Sequence, residues 1–321
     1  MNTRQLGKDG PHLTEIGLGA WAIGGPWTWG WGEQDDVISI KTIQLSLALG
    51  INWIDTAAVY GLGHGEEVVA KAVNGRRKEV FIASKCGLVW DERRRVRNNN
   101  RPESIRKECE NSLRRLRTDY LDLYQIHWPD KNVPVEESWG EMVRLKEAGK
   151  VRYIGVSNFG MDLLQRCQAV HPVASLQPPY NMVQREVEKE ILPWCREHGV
   201  GVVAYSPLLN GLLTGKFSRE FLATLADDDW RKARKQPFFT EPLFSRVLAF
   251  VEQIRLIADK YQKTPAQLAI AWVLMHPAVT SAIVGARSVS QAEQNIGGAG
   301  WQMLNEDMER IDELYRETLG E

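Results

Sequence analysis

Four side chains with complementary proton chemistry each stand at or just past the downstream end of a short apolar run. They are Asp55, Tyr60, Lys85 and His127. If the runs are neighbouring strands of one parallel sheet, the four side chains meet at one edge of that sheet. A phenol, an ammonium, a carboxylate and an imidazole in one cleft can together protonate a carbonyl oxygen. The set includes neither an activated nucleophile nor a metal site, so it favours reduction by an external reductant over hydrolysis.

Each of the four residues has a distinct expected role. Tyr60 is the general acid, and Lys85 is expected to lower the tyrosine pKa from its usual value of about 10 by favouring the phenolate. Asp55 keeps Lys85 protonated and in place, while His127 donates to the carbonyl oxygen and orients it. Each residue alone has a structural alternative, because Lys–Asp pairs are common salt bridges and a strand-end histidine often only satisfies a polar neighbour. Their joint placement at three successive strand ends favours a catalytic site.

The apolar runs alternate with segments of helical periodicity, which is typical of parallel βα units. Eight strands are predicted, at 16–20, 51–54, 80–84, 121–126, 153–157, 174–177, 200–205 and 281–284. Helices are predicted at 34–49, 102–117, 135–148 and 186–198, and prolines stand near helix starts at Pro102, Pro134 and Pro265. Eight such units in 321 residues predict an α/β protein with a closed (β/α)8 TIM barrel, whose chemistry lies on the loops at the C-terminal ends of the strands.

A doubly wound open sheet is the competing architecture, because Gly17 and Gly19 resemble a dinucleotide-binding fingerprint. A Gly-Gly-Pro loop follows them instead of a helix, so the mechanical requirement of that motif fails.

Turn residues within 3–14 predict an N-terminal β-hairpin that closes the barrel floor. Three loops at the C-terminal face are long enough to form binding sites or lids: 21–33, 86–101 and 205–240.

The composition predicts one large domain, residues 1–321, located in the cytoplasm. The chain is 43% hydrophobic and 25% charged with a formal net charge of −1, so no electrostatic reason exists to expect nucleic acid or an anionic membrane as a partner. No apolar run reaches the length of a membrane span, and the N-terminus lacks the apolar core of a secretion signal. Four scattered cysteines predict reduced thiols, without a disulfide frame or a zinc site.

Polar and aromatic side chains after the later strands predict a cradle for a nucleotide cofactor. Ser157, Asn158 and Gln177 could hydrogen-bond a carboxamide, and Tyr205 offers a flat face to a heteroaromatic ring. A glycine-bearing loop that ends in a cation suits a pyrophosphate, through Ser206, Pro207, Leu208, Gly211 and Lys216. Past the eighth strand, Gly285 and Arg287 precede a predicted helix, and a guanidinium beside a helix N-terminus attracts a phosphate. Three amide side chains of that helix either reach an adenine or simply face solvent: Gln291, Gln294 and Asn295.

Tryptophans in the long loops predict an apolar wall for the substrate. The preferred candidates lie closest to strand ends and are Trp21, Trp90 and Trp128. Three others serve equally well as a wall or as packing on the barrel rim: Trp27, Trp29 and Trp31.

Over nearly its whole length the sequence resembles the aldo-keto reductase family. The motifs are Asp55-Thr-Ala-Ala-Val-Tyr60-Gly, Ala83-Ser-Lys85, Asp119-Tyr-Leu-Asp-Leu-Tyr-Gln-Ile-His127-Trp-Pro-Asp, residues 149–158, Gln177-Pro-Pro-Tyr-Asn181, Tyr205-Ser-Pro-Leu and Gly285-Ala-Arg287. The resemblance implies a (β/α)8 barrel that binds an extended nicotinamide dinucleotide and transfers hydride to aldehydes or ketones. Tyr60 would be the acid, supported by Lys85, Asp55 and His127, and we place Trp21 and Asp55 among the cofactor-binding residues as well.

Two stretches, 17–25 and 177–181, look closest to bacterial members of the general stress and inositol-linked branch. In better-known branches a Lys-Ser pair receives the cofactor 2′-phosphate and an arginine follows nearby, whereas Arg287-Ser288 and Gln291 occupy those places here. The single guanidinium favours NADP(H) with a modest preference. The expected activity is NADPH-dependent reduction of a small aldehyde or ketone, with no prediction of the physiological substrate or the oligomeric state.

Two alternative functions stay open from the sequence. A regulatory cofactor-binding protein similar to potassium-channel β-subunits would keep the fold and the cofactor. Such relatives tend to lack a histidine at the position of His127, which argues for turnover. A different barrel enzyme, such as an isomerase, would not oxidise NADPH in the presence of an aldehyde.

Overall fold

Eight parallel strands close into a barrel in the computed structural model, which describes residues 1–227, 229–233 and 236–320. The strands are β1 (Ile16–Gly19), β2 (Trp53–Asp55), β3 (Phe81–Cys86), β4 (Leu121–Ile126), β5 (Val151–Ser157), β6 (Ser175–Gln177), β7 (Gly201–Ala204) and β8 (Val279–Gly285). Each strand pairs with its neighbours in chain order, and β8 pairs with β1 to close the ring. All eight predicted strands are confirmed, and the open-sheet alternative is wrong.

Helices fill the connections between the strands. In chain order they are α1 (Asp36–Ala48), α2 (His64–Ala72), α3 (Pro102–Leu116), α4 (Val135–Glu147), α5 (Met161–Val170), α6 (Ile191–Glu197), α7 (Arg219–Thr224), α8 (Trp230–Ala233), α9 (Leu243–Lys260), α10 (Pro265–Met275), α11 (Val289–Ile296) and α12 (Asn305–Thr318). Pro102 and Pro265 occupy first helical turns, as predicted, and Pro134 directly precedes α4. The predicted helix 186–198 is divided into a 3₁₀ turn at Glu186–Glu188 and α6.

The barrel interior is packed with apolar side chains and capped from below. Trp53, Leu123 and Val203 pack there with side chains from the N-terminal hairpin, whose strands are Thr3–Gln5 and His12–Thr14. The hairpin prediction is therefore confirmed. Gly17 belongs to this packing, because a Cβ atom on it would lie 2.0 Å from the Trp53 indole. The glycine that resembled a nucleotide fingerprint in fact makes room for an aromatic ring.

The three long loops rise from the C-terminal ends of β1, β3 and β7. The loop 86–101 contains an unpredicted two-stranded hairpin of Leu88–Trp90 and Val96–Asn98, here called the rim hairpin. The loop 205–240 contains a 3₁₀ segment at Leu209–Thr214, the short helices α7 and α8, and positions 228, 234 and 235, which lie outside the described residues. Among the helices described, none combines the length and apolarity that crossing a bilayer requires.

Candidate active site

The predicted acid and its ammonium neighbour meet at the C-terminal end of the barrel. Lys85 of β3 donates from Nζ to both Asp55 carboxylate oxygens, at 2.7 and 2.9 Å, and to the Thr56 carbonyl oxygen at 2.9 Å. The same Nζ lies 3.2 Å from the phenolic oxygen of Tyr60. Lys85 and Asp55 are almost fully buried. Neighbouring strand ends thus hold a paired ammonium directly against a phenol, as the sequence predicted.

A close backbone contact places Tyr60. The residue begins a tight 3₁₀ turn, Tyr60–Gly63, in which Gly61 has a left-handed φ of 62°. A Cβ atom on Gly61 would lie 2.0 Å from the carbonyl oxygen of Gly24, so the loop after β1 and the Tyr60 turn touch through two glycines. The two glycines therefore allow the Tyr60 turn to pack closely against the loop after β1.

His127 directly follows β4 and stands edge-on to Tyr60, with ring centroids 5.8 Å apart. Its backbone N–H donates to the Cys86 carbonyl at 2.9 Å, and its carbonyl accepts from Asn158 Nδ2 at 2.9 Å. Burial, and then the charge of Lys85, hold the pKa of His127 well below its usual value. The imidazole is therefore neutral near pH 7 and retains one N–H that it can donate.

The ionisation of Tyr60 differs from the sequence-based expectation. Its pKa is raised well above 10, first because burial removes the phenolate from water and second because the Asp55 carboxylate is close. The pKa of Lys85 is lowered by burial, against the opposing effect of Asp55. The expectation that Lys85 lowers the resting pKa of Tyr60 is wrong, because burial raises that pKa and the Asp55 carboxylate raises it further. Tyr60 is a neutral phenol at rest.

A cavity of about 1420 Å³ opens above these residues. Asp55, Tyr60 and His127 line it, while Lys85 lies behind them and does not. Most of the other predicted site residues also line this cavity: Trp21, Trp128, Ser157, Asn158, Gln177, Tyr205, Ser206, Pro207, Leu208, Gly211, Lys216, Gly285, Gln291, Gln294 and Asn295. The volume exceeds that of a typical drug-sized pocket, so it can hold a dinucleotide and a small substrate together.

The predicted carboxamide partners form a connected polar network. Gln177 donates from Nε2 to Asp55 Oδ1 at 2.8 Å and to Gln125 Oε1 at 3.1 Å. Tyr205 donates its hydroxyl to Asn158 Oδ1 at 2.8 Å, and Ser157 donates to the Gln177 carbonyl at 2.8 Å. Both N–H groups of the Gln177 amide are thus engaged, while its oxygen remains able to accept a bond from a carboxamide. This donor and acceptor set fits a nicotinamide ring on the Tyr205 side of the cavity.

The loop after β7 is strained in the way that binding loops often are. Ser206, Leu209 and Asn210 all have left-handed φ values, of 57°, 47° and 54°. Non-glycine residues adopt that region at a cost, and such positions concentrate at ligand-binding sites. With Gly211 and Lys216 on the cavity wall, the loop fits the predicted pyrophosphate position.

Besides Lys85, two predicted residues do not line the cavity. Arg287 donates from Nε to Gln34 Oε1 at 2.9 Å and from Nη2 to the Glu33 carbonyl at 2.8 Å. Burial and the nearby guanidinium of Arg231 lower the pKa of Arg287. Trp90 packs against the cluster that contains Tyr60 and Leu88, with the Arg115 guanidinium 5.9 Å from its ring. Trp90 therefore packs with Tyr60 without lining the cavity, and Arg287 adjoins it through the bond from its backbone N–H to Gln291, which does line it.

Several cavity residues were left open or were not assigned from the sequence. Trp27 lies 5.9 Å from the Tyr60 ring, and Trp230 lies 5.3 Å from Trp21. Buried Arg231 binds Asp229 through two bonds of 2.9 and 2.6 Å, with its guanidinium 4.5 Å from the Trp31 ring. The loops after β1 and β7 therefore touch each other over the cavity. The density of tryptophans in long loops was the sequence signal for Trp27 and Trp31, and nothing in the sequence marked Arg231.

Comparisons with known proteins agree with this geometry. The model of the aldo/keto reductase family matches residues 15–316. The aldo-keto reductase YhdN of Bacillus subtilis is 40% identical to this chain, over 100% of this chain and 96% of its own length. The NADH-specific methylglyoxal reductase of Escherichia coli is 34% identical, over 96% of this chain and 97% of its own length. The structure of a glycerol dehydrogenase from Gluconobacter oxydans superposes with a TM-score of 0.89 at 40% identity, covering 99% of this chain and 96% of that one. With a family match across nearly all of its length, the chain belongs to the aldo/keto reductase family and is one of its oxidoreductases.

Proposed function

We propose that this enzyme uses NADPH to reduce small aldehydes or ketones to alcohols, with Tyr60 as the general acid. The observation that carries the proposal is the 3.2 Å contact between Lys85 Nζ and the Tyr60 oxygen at the base of the large cavity. The bound dinucleotide would supply the hydride that the carbonyl carbon accepts. Tyr60 gives its proton to the carbonyl oxygen, which leaves the phenolate beside an ammonium group.

The other residues act on that proton transfer. Lys85 stabilises the phenolate only as the proton leaves, which is the kind of interaction that accelerates a reaction. Asp55 keeps the lysine protonated and fixed by two hydrogen bonds. Neutral His127, edge-on to Tyr60, donates to the same carbonyl oxygen and fixes its direction.

The preference for NADPH is proposed from the guanidinium group of Arg287 next to the cavity. Arg287 stands at the N-terminus of α11, and Arg231 is near enough to lower its pKa. Arg231 is already paired with Asp229, so the attraction for an anion comes mainly from Arg287 beside the helix N-terminus, and the 2′-phosphate supplies that anion. Because Arg287 is already bonded to Gln34 and the Glu33 carbonyl, we expect the preference to be modest.

Tyr60→Phe tests the acid. The variant removes one oxygen at a buried position, so NADPH binding, measured by fluorescence titration, should stay within about two-fold. Turnover of every accepted aldehyde, measured by NADPH absorbance, should fall at least ~100-fold, since general acids contribute at least that much. A variant that kept more than about a tenth of the native rate would exclude Tyr60 as the proton donor.

We further propose that residues 1–321 act as one domain and that the chain belongs to the bacterial general stress and inositol-linked branch. Its motif at 17–25 and its identity with a bacterial relative support the branch. A cytoplasmic location is proposed from its four cysteines, all free and buried, which suit a reducing compartment. A regulatory role similar to potassium-channel β-subunits is not favoured, because His127 lies beside Tyr60 and the relatives above are named as enzymes.

A further inference from the structure

The rim hairpin carries a dense positive charge. Segment 91–101 contains five arginines but only two acids, Asp91 and Glu92, in a chain whose net charge is −1. The arginines are all exposed: Arg93, Arg94, Arg95, Arg97 and Arg101. Nothing in the proposed reaction of a neutral carbonyl compound requires this concentration of charge.

Most of that charge is not neutralised locally. Arg95 pairs with Asp91 at 2.6 Å, and Arg94 donates to the Pro26 carbonyl at 3.0 Å. Within the described residues, no ion pair involves Arg93, Arg97 or Arg101. The next acid along the rim, Asp130, accepts from backbone N–H groups of Asn100 and Asn132. Three guanidinium groups therefore face solvent with their charge uncompensated by a direct partner.

The hairpin stands at the mouth of the cavity on the side of Tyr60. Its cross-strand partners Leu88 and Asn98 both line the cavity, and Leu88 packs in the same cluster as Tyr60. Arg94 ties the hairpin tip to Pro26, one residue before Trp27. The hairpin follows β3, whereas the loop proposed to hold the pyrophosphate follows β7, and these strands lie opposite each other in the ring. The charge thus lies on the rim beside Tyr60, across the barrel from the loop proposed to hold the pyrophosphate, and no arginine of segment 91–101 is among the described residues that line the cavity.

We propose that the rim hairpin selects anionic carbonyl substrates, namely aldehydes or ketones that carry a carboxylate or a phosphate group. The proposal rests on the proposed function, whose substrate class it narrows. Exposed charges of one sign around a cleft raise the local concentration and the association rate of a ligand of opposite sign, and salt screens this effect. A neutral carbonyl compound gains nothing from the arginines.

The test neutralises the charge without touching the cavity wall. The rim variant is Arg93→Gln/Arg97→Gln/Arg101→Gln, and Arg94 is left in place because of its bond to Pro26. The matched control removes three exposed arginines far from the mouth, near the C-terminal ends of α3 and α6: Arg114→Gln/Arg117→Gln/Arg196→Gln. Helix C-terminal ends lie at the floor of such a barrel, so the control changes net charge equally without changing the field at the mouth.

Three aldehydes of increasing charge serve as substrates at saturating NADPH: glyceraldehyde, 4-oxobutanoate and glyceraldehyde 3-phosphate. Three unit charges at roughly 10 Å from the anionic group of the substrate, in water, would each attract it weakly. Their removal in the rim variant should lower kcat/KM about five-fold for the monoanion at low ionic strength, and more for the dianion. The loss should shrink at 0.15 M salt, while glyceraldehyde and the control variant should change less than about two-fold. Equal losses for neutral and anionic aldehydes, or equal losses in the rim and control variants, would overturn the proposal.

A binding measurement separates this proposal from the proposed function. Glycerol and glycerol 3-phosphate, which cannot be reduced, are titrated against the fluorescence of the cavity tryptophans in native and variant proteins. We expect glycerol 3-phosphate alone to bind several-fold more weakly to the rim variant. If no aldehyde is turned over while this difference persists, the reductase assignment fails and the anion preference stands. If the difference is absent, the anion preference fails whatever the turnover.

Discussion

Replacing Lys85 with methionine should separate the stability of the site from its chemistry. The side chain is completely buried, and its ammonium group holds Asp55, Thr56 and Tyr60 together. Methionine fills a similar volume without the charge, so Asp55 keeps only the bond from Gln177 Nε2 at 2.8 Å. Removing one member of a buried ion pair typically costs about 3–5 kcal/mol. That is a large share of a total stability of roughly 5–15 kcal/mol, so the variant should fold only marginally.

The effect on the rate follows from the 3.2 Å contact. At an effective dielectric constant of about 20, an ammonium at this distance would stabilise a phenolate by roughly 5 kcal/mol. The Asp55 carboxylate cancels part of that amount because it lies on the same ammonium. We therefore expect turnover to fall by about 10²- to 10³-fold, since each 1.4 kcal/mol or so corresponds to ten-fold.

A second substitution distinguishes the two effects. In Lys85→Met/Asp55→Asn no buried carboxylate is left alone, and the asparagine oxygen can still accept from Gln177. We expect urea denaturation to recover stability to within about 1–2 kcal/mol of the native protein, while turnover stays at least ~100-fold low. Lys71→Met is the control, because Lys71 pairs with Asp36 at 3.2 Å with its side chain 45% exposed, and such surface pairs contribute only about 0–1 kcal/mol.

Turnover is measured by NADPH absorbance at saturating cofactor, so that weaker cofactor binding does not imitate a loss of chemistry. If the double variant regained more than about a tenth of the native rate, the Lys85–Asp55 pair would be a structural salt bridge and the mechanism proposed for it would be refuted. If Lys85→Met were as stable as Lys71→Met, the burial argument would be wrong instead.

Two other substitutions test the cofactor corner and a buried carboxyl group. Arg287→Ala should raise the Kd of NADPH relative to that of NADH about ten-fold in fluorescence titrations; an equal loss for both cofactors would mean that Arg287 only holds Gln34 in place. Glu108 accepts a hydrogen bond from the Gly87 N–H, and burial raises its pKa from 4.5 to about 7. Its contribution to the free energy of unfolding is therefore fully present below about pH 4.5 and is lost as the pH rises through 7. Between pH 5 and 8 the free energy of unfolding, measured by denaturation, should therefore fall by about 2.5 kcal/mol more in the native protein than in Glu108→Gln. The control Glu103→Gln, at an exposed position, should behave like the native protein.

The barrel and the four catalytic candidates could be predicted because their signals are local. Each strand is a short apolar run between turn residues, and parallel strands place their C-terminal ends together whatever the loops do. Asp55 ends β2 and Lys85 lies in β3, so their neighbourhood follows from strand order alone. The Gly24–Gly61 contact was not predictable in the same way, because nothing near either glycine in the sequence indicates its partner.

The cavity wall could be predicted only in part because it is built from contacts between distant loops. Trp230 packs on Trp21, and Arg231 packs on Trp31, across the opening between the loops after β7 and β1. Neither contact has a period or a spacing that the sequence would reveal. Trp90 stands in a long loop as Trp21 does, but it lies in the unpredicted rim hairpin and packs with the Tyr60 cluster instead of lining the cavity.

The raised pKa of Tyr60 changes how the site should be understood. A lysine beside a tyrosine was expected to make the phenol acidic at rest, yet burial and the Asp55 carboxylate both oppose ionisation. The resting enzyme therefore keeps the Tyr60 proton that the reaction needs at pH values near neutrality. In the proposed mechanism, Lys85 contributes when negative charge begins to form on the phenolic oxygen 3.2 Å away, because only then does its interaction strengthen. A compensated ion pair next to a neutral acid thus holds the proton until a carbonyl oxygen is in position to take it.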